Sequence, residues 1–236
     1  MDFLSNSLDW FPIFLSIRVA GAALFAVIVI GVPLSFYMAR HDFPGKDVLE
    51  AVLTLPLVLP PVVTGFLLLL LIGRQGPVGF FVDWAFDAQM VFTPLAAVLA
   101  ASVVAFPLMY QSVKAAFQSV DSHLEDVART LGASELKIFF TITIPLAWPG
   151  IVAGMILAYA RALGEFGATI MIAGNIPGKT QTLPTAIYFA SEANNLTLAG
   201  MYVLVISVIT FGMMVGLNYW TRRRIQQRSE ATHAES

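Results

Sequence analysis

Five apolar runs, each long enough to cross a lipid bilayer, dominate this sequence: 11–38, 48–72, 91–110, 146–172 and 198–220. At about 1.5 Å per residue, some ~20 residues of helix cross the ~30 Å hydrocarbon core. Inside that core every backbone N–H and C=O must be paired within the chain, so a run of this length folds as a helix. The expected fold is therefore all-α and integral to the membrane, with five transmembrane helices between residues 11 and 220. A short segment, 1–10, precedes them and a polar tail, 221–236, follows. The balance of 58% hydrophobic against 12% charged residues belongs with polytopic membrane proteins. Cysteine is absent, which excludes disulfides, thiolate metal sites and a cysteine nucleophile. Residues 1–10 contain no Lys or Arg, and the apolar run after them is too long for the core of a secretory signal.

Charge orients the bundle. Five spans put the two ends on opposite sides. With the C-terminus in the cytoplasm, nine basic residues fall inside: Arg40, Lys46, Lys114, Arg129, Lys137, Arg222, Arg223, Arg224 and Arg228. Arg74 and Lys179 fall outside, while Arg18 and Arg161 lie within spans. The positive-inside rule favours this arrangement, with the N-terminus extracytoplasmic. The basic residues form no groove-sized patch, so nucleic acid is not an expected partner; membrane lipid is.

One stretch breaks the apolar pattern. Residues 119–149, SVDSHLEDVARTLGASELKIFFTITIPLAWP, are amphipathic and charged. Asp121 and Ser122 are good N-caps, and Ser122 with Glu125 has the spacing of a capping box. Leu124, Val127, Ala128 and Leu131 make one apolar stripe, expected to lie against a membrane face. Gly132 ends that helix, and Ser134 can cap a second short one carrying Leu136, Phe139 and Phe140. The orientation above puts this helix–Gly–helix element in the cytoplasm.

Here the chain resembles a known family. Asp126-Val127-Ala128, Gly132, Ile142 and Ile144-Pro145 look like the "EAA" loop of ABC importer permeases, with Asp126 at the usual Glu and Ile144 at the usual Leu. The resemblance implies the MetI-like permease fold and a coupling loop, 119–145, that docks into a separate cytoplasmic ATPase subunit. Carried over residue by residue, it assigns ATPase coupling to Asp126, Ala128, Gly132, Leu136 and Pro145. It also implies a second copy of the chain and an extracytoplasmic oxyanion-binding protein as partners, and no cofactor on the permease itself.

Substrate class rests on the same kind of evidence. Gly164-Glu165-Phe166-Gly167-Ala168-Thr169 is similar to a segment shared by molybdate and sulfate permeases. Asn175-Ile176-Pro177-Gly178, Leu183-Pro184 and Ala186-Ile187-Tyr188 are similar to the molybdate branch, as are Phe43-Pro44-Gly45-Lys46 and Leu55 through Val63. The resemblance implies a molybdate importer, with sulfate, thiosulfate and tungstate as alternatives. The residues themselves are informative at two places. Pro60 and Pro61, with Pro56, free backbone carbonyls within the second span, which suits a water-lined path or a packing kink. Arg161 and Glu165, four apart, share a helix face. An ionisable residue within a span costs about 2.5–3.5 kcal/mol on insertion scales, and a neutralising pair lowers that cost. The pair either holds neighbouring helices or draws an anion toward the path.

Other function classes fit less well. Residues 173–180, AGNIPGKT, match a relaxed phosphate-loop pattern, but they follow a membrane helix rather than a strand, and Pro184 comes four residues later. An intramembrane metalloenzyme would need clustered ligands, and His41, His123 and His233 do not sit at metal-ligand spacing with carboxylates. A secondary transporter would be expected to show an internal repeat, and none is visible.

Overall fold

The computed structural model describes residues 8–234, and side chains as far as Tyr219 except Leu217 and Asn218. The expectations for residues 1–7 and for the side chains of Arg222, Arg223, Arg224, Arg228 and His233 lie outside the described residues.

The described residues are mostly helical. α1 covers Phe11–Arg40, α2 Lys46–Val58, α3 Pro61–Ile72, α4 Pro77–Phe86 and α5 Pro94–Gln118. α6 covers Ser122–Thr130 and α7 Glu135–Ile138; a π-helical turn, Phe139–Thr143, joins α7 to α8, Ile144–Leu163. α9 covers Gly167–Ile172, α10 Leu183–Glu192 and α11 Leu196–Ala234. Among the described residues, four helical stretches have the length and apolarity of a membrane span: Phe11–Arg40, Pro94–Gln118, Glu135–Leu163 and Leu196–Gly216. α2 and α3 together make a fifth, bent by 117°.

α5 is the centre of the bundle. Its Ala96, Ala97, Ala100, Ala101 and Ala105 are all buried, and small side chains let α1 and α8 come close. On the α8 side, a Cβ on Gly150 would meet Ala116 Cβ at 2.4 Å and one on Gly154 would meet Ser112 Cβ at 3.0 Å. The four-residue glycine spacing visible in the sequence is therefore the α5–α8 crossing. The second glycine pair, Gly212 and Gly216, has open space around it. A smaller core of Ile13, Leu183, Ala186 and Tyr202 ties α10 and α11 to the start of α1. There Leu183 N donates to Ser16 Oγ at 2.6 Å and Tyr202 Oη to the Asp9 carbonyl at 3.0 Å.

Three features depart from the expected spans. The second run, 48–72, is not one kinked helix but two, because Pro60 and Pro61 cannot donate back to the carbonyls of Pro56 and Leu57. The fourth run, 146–172, starts about three helical turns before its expected limit, at Glu135, and breaks over Gly164–Phe166 before α9. The last helix does not stop at the expected limit of 220 but continues through the polar tail to Ala234. α4 folds back tightly on the end of α3. It exposes Phe80, Phe81, Trp84 and Phe86, the amphipathic ring-bearing surface that suits a bilayer interface.

Candidate functional site: a polar-side-in elbow and a junction of two broken helices

The elbow between α5 and α8 is built by local rules. Asp121 caps α6, its Oδ1 accepting from His123 N at 2.9 Å. Gly132, at φ +83°, ends it in a Schellman motif: Gly132 N donates to the Arg129 carbonyl and Ala133 N to that of Ala128, both at 3.0 Å. Arg129 then clamps the corner. Its NH1 lies 2.5 Å from Asp126 Oδ1, and its Nε and NH2 donate to the two Glu135 oxygens at 2.5 and 3.0 Å. The Glu135 hydrogen bond above all raises the Arg129 pKa beyond its ordinary value, so this charge persists at any physiological pH.

The capping box expected between Ser122 and Glu125 does not form. Glu125 turns inward instead, because a stronger donor waits there: Arg40, the last residue of α1, donates NH2 to Glu125 Oε1 at 2.7 Å. Thr143 Oγ, from the π-helical turn, donates to the same oxygen at 2.7 Å. Glu125 is 7% exposed and is the one buried residue of α6. The consequence is a helix with its amphipathicity reversed. Its carboxylate faces the protein while Leu124, Val127 and Leu131 face out, Leu131 at 82% exposure. Leu136, 73% exposed, and Phe140 extend the apolar surface across the corner. The stripe expected to lie against a membrane face is not covered by the rest of the chain. A cavity of about 440 Å³ lies beside the anchor, lined by Arg40, Glu125, Arg129 and Thr143 among others.

Of the residues singled out for coupling, Asp126, Ala128, Gly132 and Leu136 meet on this elbow, and Pro145 opens α8 just beyond the π-helical turn. Arg40, Glu125 and Thr143, which anchor the elbow, went unpredicted. Arg40 and Glu125 are 85 positions apart, and no local spacing relates them.

The second constellation lies where α3 crosses α9. A Cβ on Gly65 would stand 2.7 Å from Ala168 Cα, and one on Gly167 would stand 2.8 Å from Pro61 Cβ. The two helix breaks, at Leu59–Pro60 and at Gly164–Phe166, are thus in contact. Glu165 organises the second break. Its Oε1 accepts from Ala168 N at 2.7 Å, capping α9, and its Oε2 lies 2.7 Å from Arg161 NH1. That approach is an ion pair by distance, though its angles fall short of a hydrogen bond. Glu165 is buried and Arg161 partly exposed. Pro60, Pro61, Arg161 and Glu165 thus belong to one junction, and the pair holds the α8–α9 break together.

In the phosphate-loop look-alike, backbone donors turn inward on the loop itself. Lys179 N, Thr180 N and Gln181 N all point to the Ile176 carbonyl, at 3.0, 2.9 and 3.2 Å, and Thr180 Oγ accepts from Ile176 N.

The described backbone superposes on solved transporters. A methionine ABC transporter, MetNI, in an inward-facing conformation gives a TM-score of 0.67 at 16% identity, over 90% of this chain and 94% of that one. A bacterial ABC transporter importing alginate gives 0.70 at 16% identity, over 90% and 78%. These likenesses concern the fold. In sequence, the chain is 49% identical over 211 residues to a putative molybdenum transport system permease protein of Bacillus subtilis (strain 168), covering 89% of this chain and 93% of the relative. It is 42% identical over 222 residues to the molybdenum transport system permease protein ModB of Escherichia coli (strain K12), covering 94% and 96%. The model of one family matches residues 31–226, and the chain belongs to that family: the inner-membrane components of binding-protein-dependent transport systems.

Proposed function

We propose that this chain is the permease subunit of an ATP-driven importer that moves molybdate into the cytoplasm. Two copies form the pore, a separate ATPase docks on each elbow, and an extracytoplasmic binding protein delivers the oxyanion. The N-terminus is outside and the C-terminus inside. The observation that carries the reading is the reversed elbow: a helix that buries Glu125 and exposes Leu124, Val127 and Leu131 needs an apolar partner beyond its own chain. The substrate is supported by relatives that share nearly the whole length and are named molybdenum permeases.

Mechanistically, the ATPase grips the elbow at Asp126, Ala128, Gly132 and Leu136, and its closure moves the base of α8 through the helical segment from Glu135 to Pro145. The path runs by the junction of the two breaks. Carbonyls left unpaired by Pro60 and Pro61 require water or protein around them, and the positive end of α3 begins there. Arg161 offers a cation beside that path, held in place by Glu165.

The test is elemental analysis of cells lacking the gene. Grown at trace molybdate, they should lose molybdenum and recover it when this chain is restored. Sulfur content and growth on trace sulfate should not change. Unchanged molybdenum with falling sulfur would give the oxyanion a different identity.

A further inference from the structure

α2 is weakly packed. None of its residues is buried; Lys46, Glu50, Leu53, Thr54 and Pro56 are half-buried, and the helix lies against α5. The ion pair that crosses that contact is Lys114 Nζ donating to Glu50 Oε1, the two side chains 17% and 28% exposed, and the Tyr110 side chain of α5 faces the same carboxylate. The other polar side-chain contacts of α2 are local, Lys46 to Asp42 and Thr54 to the carbonyls of Glu50 and Ala51. Lys114 stands one helical turn before the end of α5, and α6 begins four residues after that end. At its far end the arm formed by α2 and α3 is fastened differently, by the backbone contacts of Gly65 and Gly167 at the junction.

The bent arm is thus held at two points. One is close-packed and belongs to the junction. The other is a loosely packed contact centred on one ion pair, and it is made to the helix that leads straight into the elbow. We infer that Lys114–Glu50 is a positioning pair for transport: it carries movement of the elbow, through the last turn of α5, to the α2–α3 arm. A packed contact would need apolar surface that α2 does not bury. An ion pair shielded from most of the solvent holds direction and distance without it, and is less screened than an exposed one. Coupling of this kind is a free energy shared between two sites, and severing the link removes it without unfolding either. The inference rests on the elbow being the ATPase-docking element.

The experiment uses the full chain assembled with its ATPase and binding protein in proteoliposomes. It reads ATP hydrolysed per molybdate taken up, along with the amount of assembled complex. Glu50→Gln and Lys114→Gln should keep the complex assembled and hydrolysing while raising that ratio by roughly tenfold. Lys114→Arg should stay near the parent value, and the charge-reversed double variant E50K/K114E should recover much of what either reversal alone loses. An unchanged ratio in the neutral variants overturns the inference. So does loss of the assembled complex in both neutral variants, which would make the pair structural only. The parent complex separates this from the reading it rests on: if the unmodified chain shows no ATP-dependent uptake, the permease assignment itself fails.

Discussion

A Cβ on Gly167 would stand 2.8 Å from the Cβ of Pro61, so the breaks of two different helices meet with no room for a methyl group between them. Nearby, a Cβ on Gly65 would stand 2.7 Å from Ala168 Cα, backbone that cannot yield as a flexible side chain would. Gly65→Ala and Gly167→Ala should each destabilise the protein by about 1–3 kcal/mol through overpacking. Gly212→Ala, where nothing lies within 4 Å, should be neutral or slightly stabilising. Thermal unfolding in detergent checks this. An equal fall in Tm for Gly65→Ala and Gly212→Ala would remove the close crossing of α3 and α9.

The Arg161–Glu165 pair should behave as a unit. Glu165→Ala removes the cap from Ala168 N, worth about 0.5–2 kcal/mol, and strands Arg161 at membrane depth. Replacing both, as Arg161→Met with Glu165→Gln, leaves no unpaired charge and should be less damaging than Glu165→Ala alone. A double-mutant cycle on Tm measures the coupling. Strictly additive effects would mean that the two residues act separately.

At the elbow, Glu125 is anchored rather than capping. Glu125→Ala leaves Arg40, mostly shielded itself, without its carboxylate, and a broken pair of this kind costs about 3–5 kcal/mol when buried, less here because Arg40 is partly solvated. The loss should be local. Limited proteolysis should cut near residues 119–134 several times faster than in the parent, while the α1–α5–α8 core stays protected. Ser122→Ala, which would break a capping box, should have little effect, since Asp121 supplies the cap.

Gly132→Val should leave the protein in the membrane but uncouple uptake from ATP hydrolysis. A Cβ there meets nothing within 4 Å, so the cost is backbone strain at φ +83°, about 1–2 kcal/mol, and not a clash within the chain. A bulky residue at Ala128 should act the same way through the docking surface. Uptake with the parent stoichiometry in both variants would count against docking at this corner.

Much of this was legible in the sequence because it is local. Apolar length gave the long helices, and Gly132 with the residues around it gave the corner. What stayed hidden depends on partners far away in the chain. Three prolines announced a kink, but a 117° turn of α3 needs Gly65 and Ala168 to receive it, 103 positions apart. Glu125 looked like a capping residue because Ser122 is near in sequence; Arg40 wins because it brings a full charge from 85 positions away. The break at Gly164–Phe166 lay within an apolar run, and hydropathy does not register a change of direction. Lys114 and Glu50, 64 apart, carry no mutual signal at all.

The central claim is that the outward apolar face of the elbow is covered by a cytoplasmic ATPase, and Leu131 tests it most directly. It is 82% exposed, and the chain has no cysteine, so Leu131→Cys introduces a unique thiol. Its labelling by a membrane-impermeant reagent should be measured from each side of the membrane, with and without the ATPase subunit. The account predicts labelling from the cytoplasmic side alone, and strong protection once the ATPase is assembled. Labelling from the outer side, or a rate that the ATPase does not change, would contradict it.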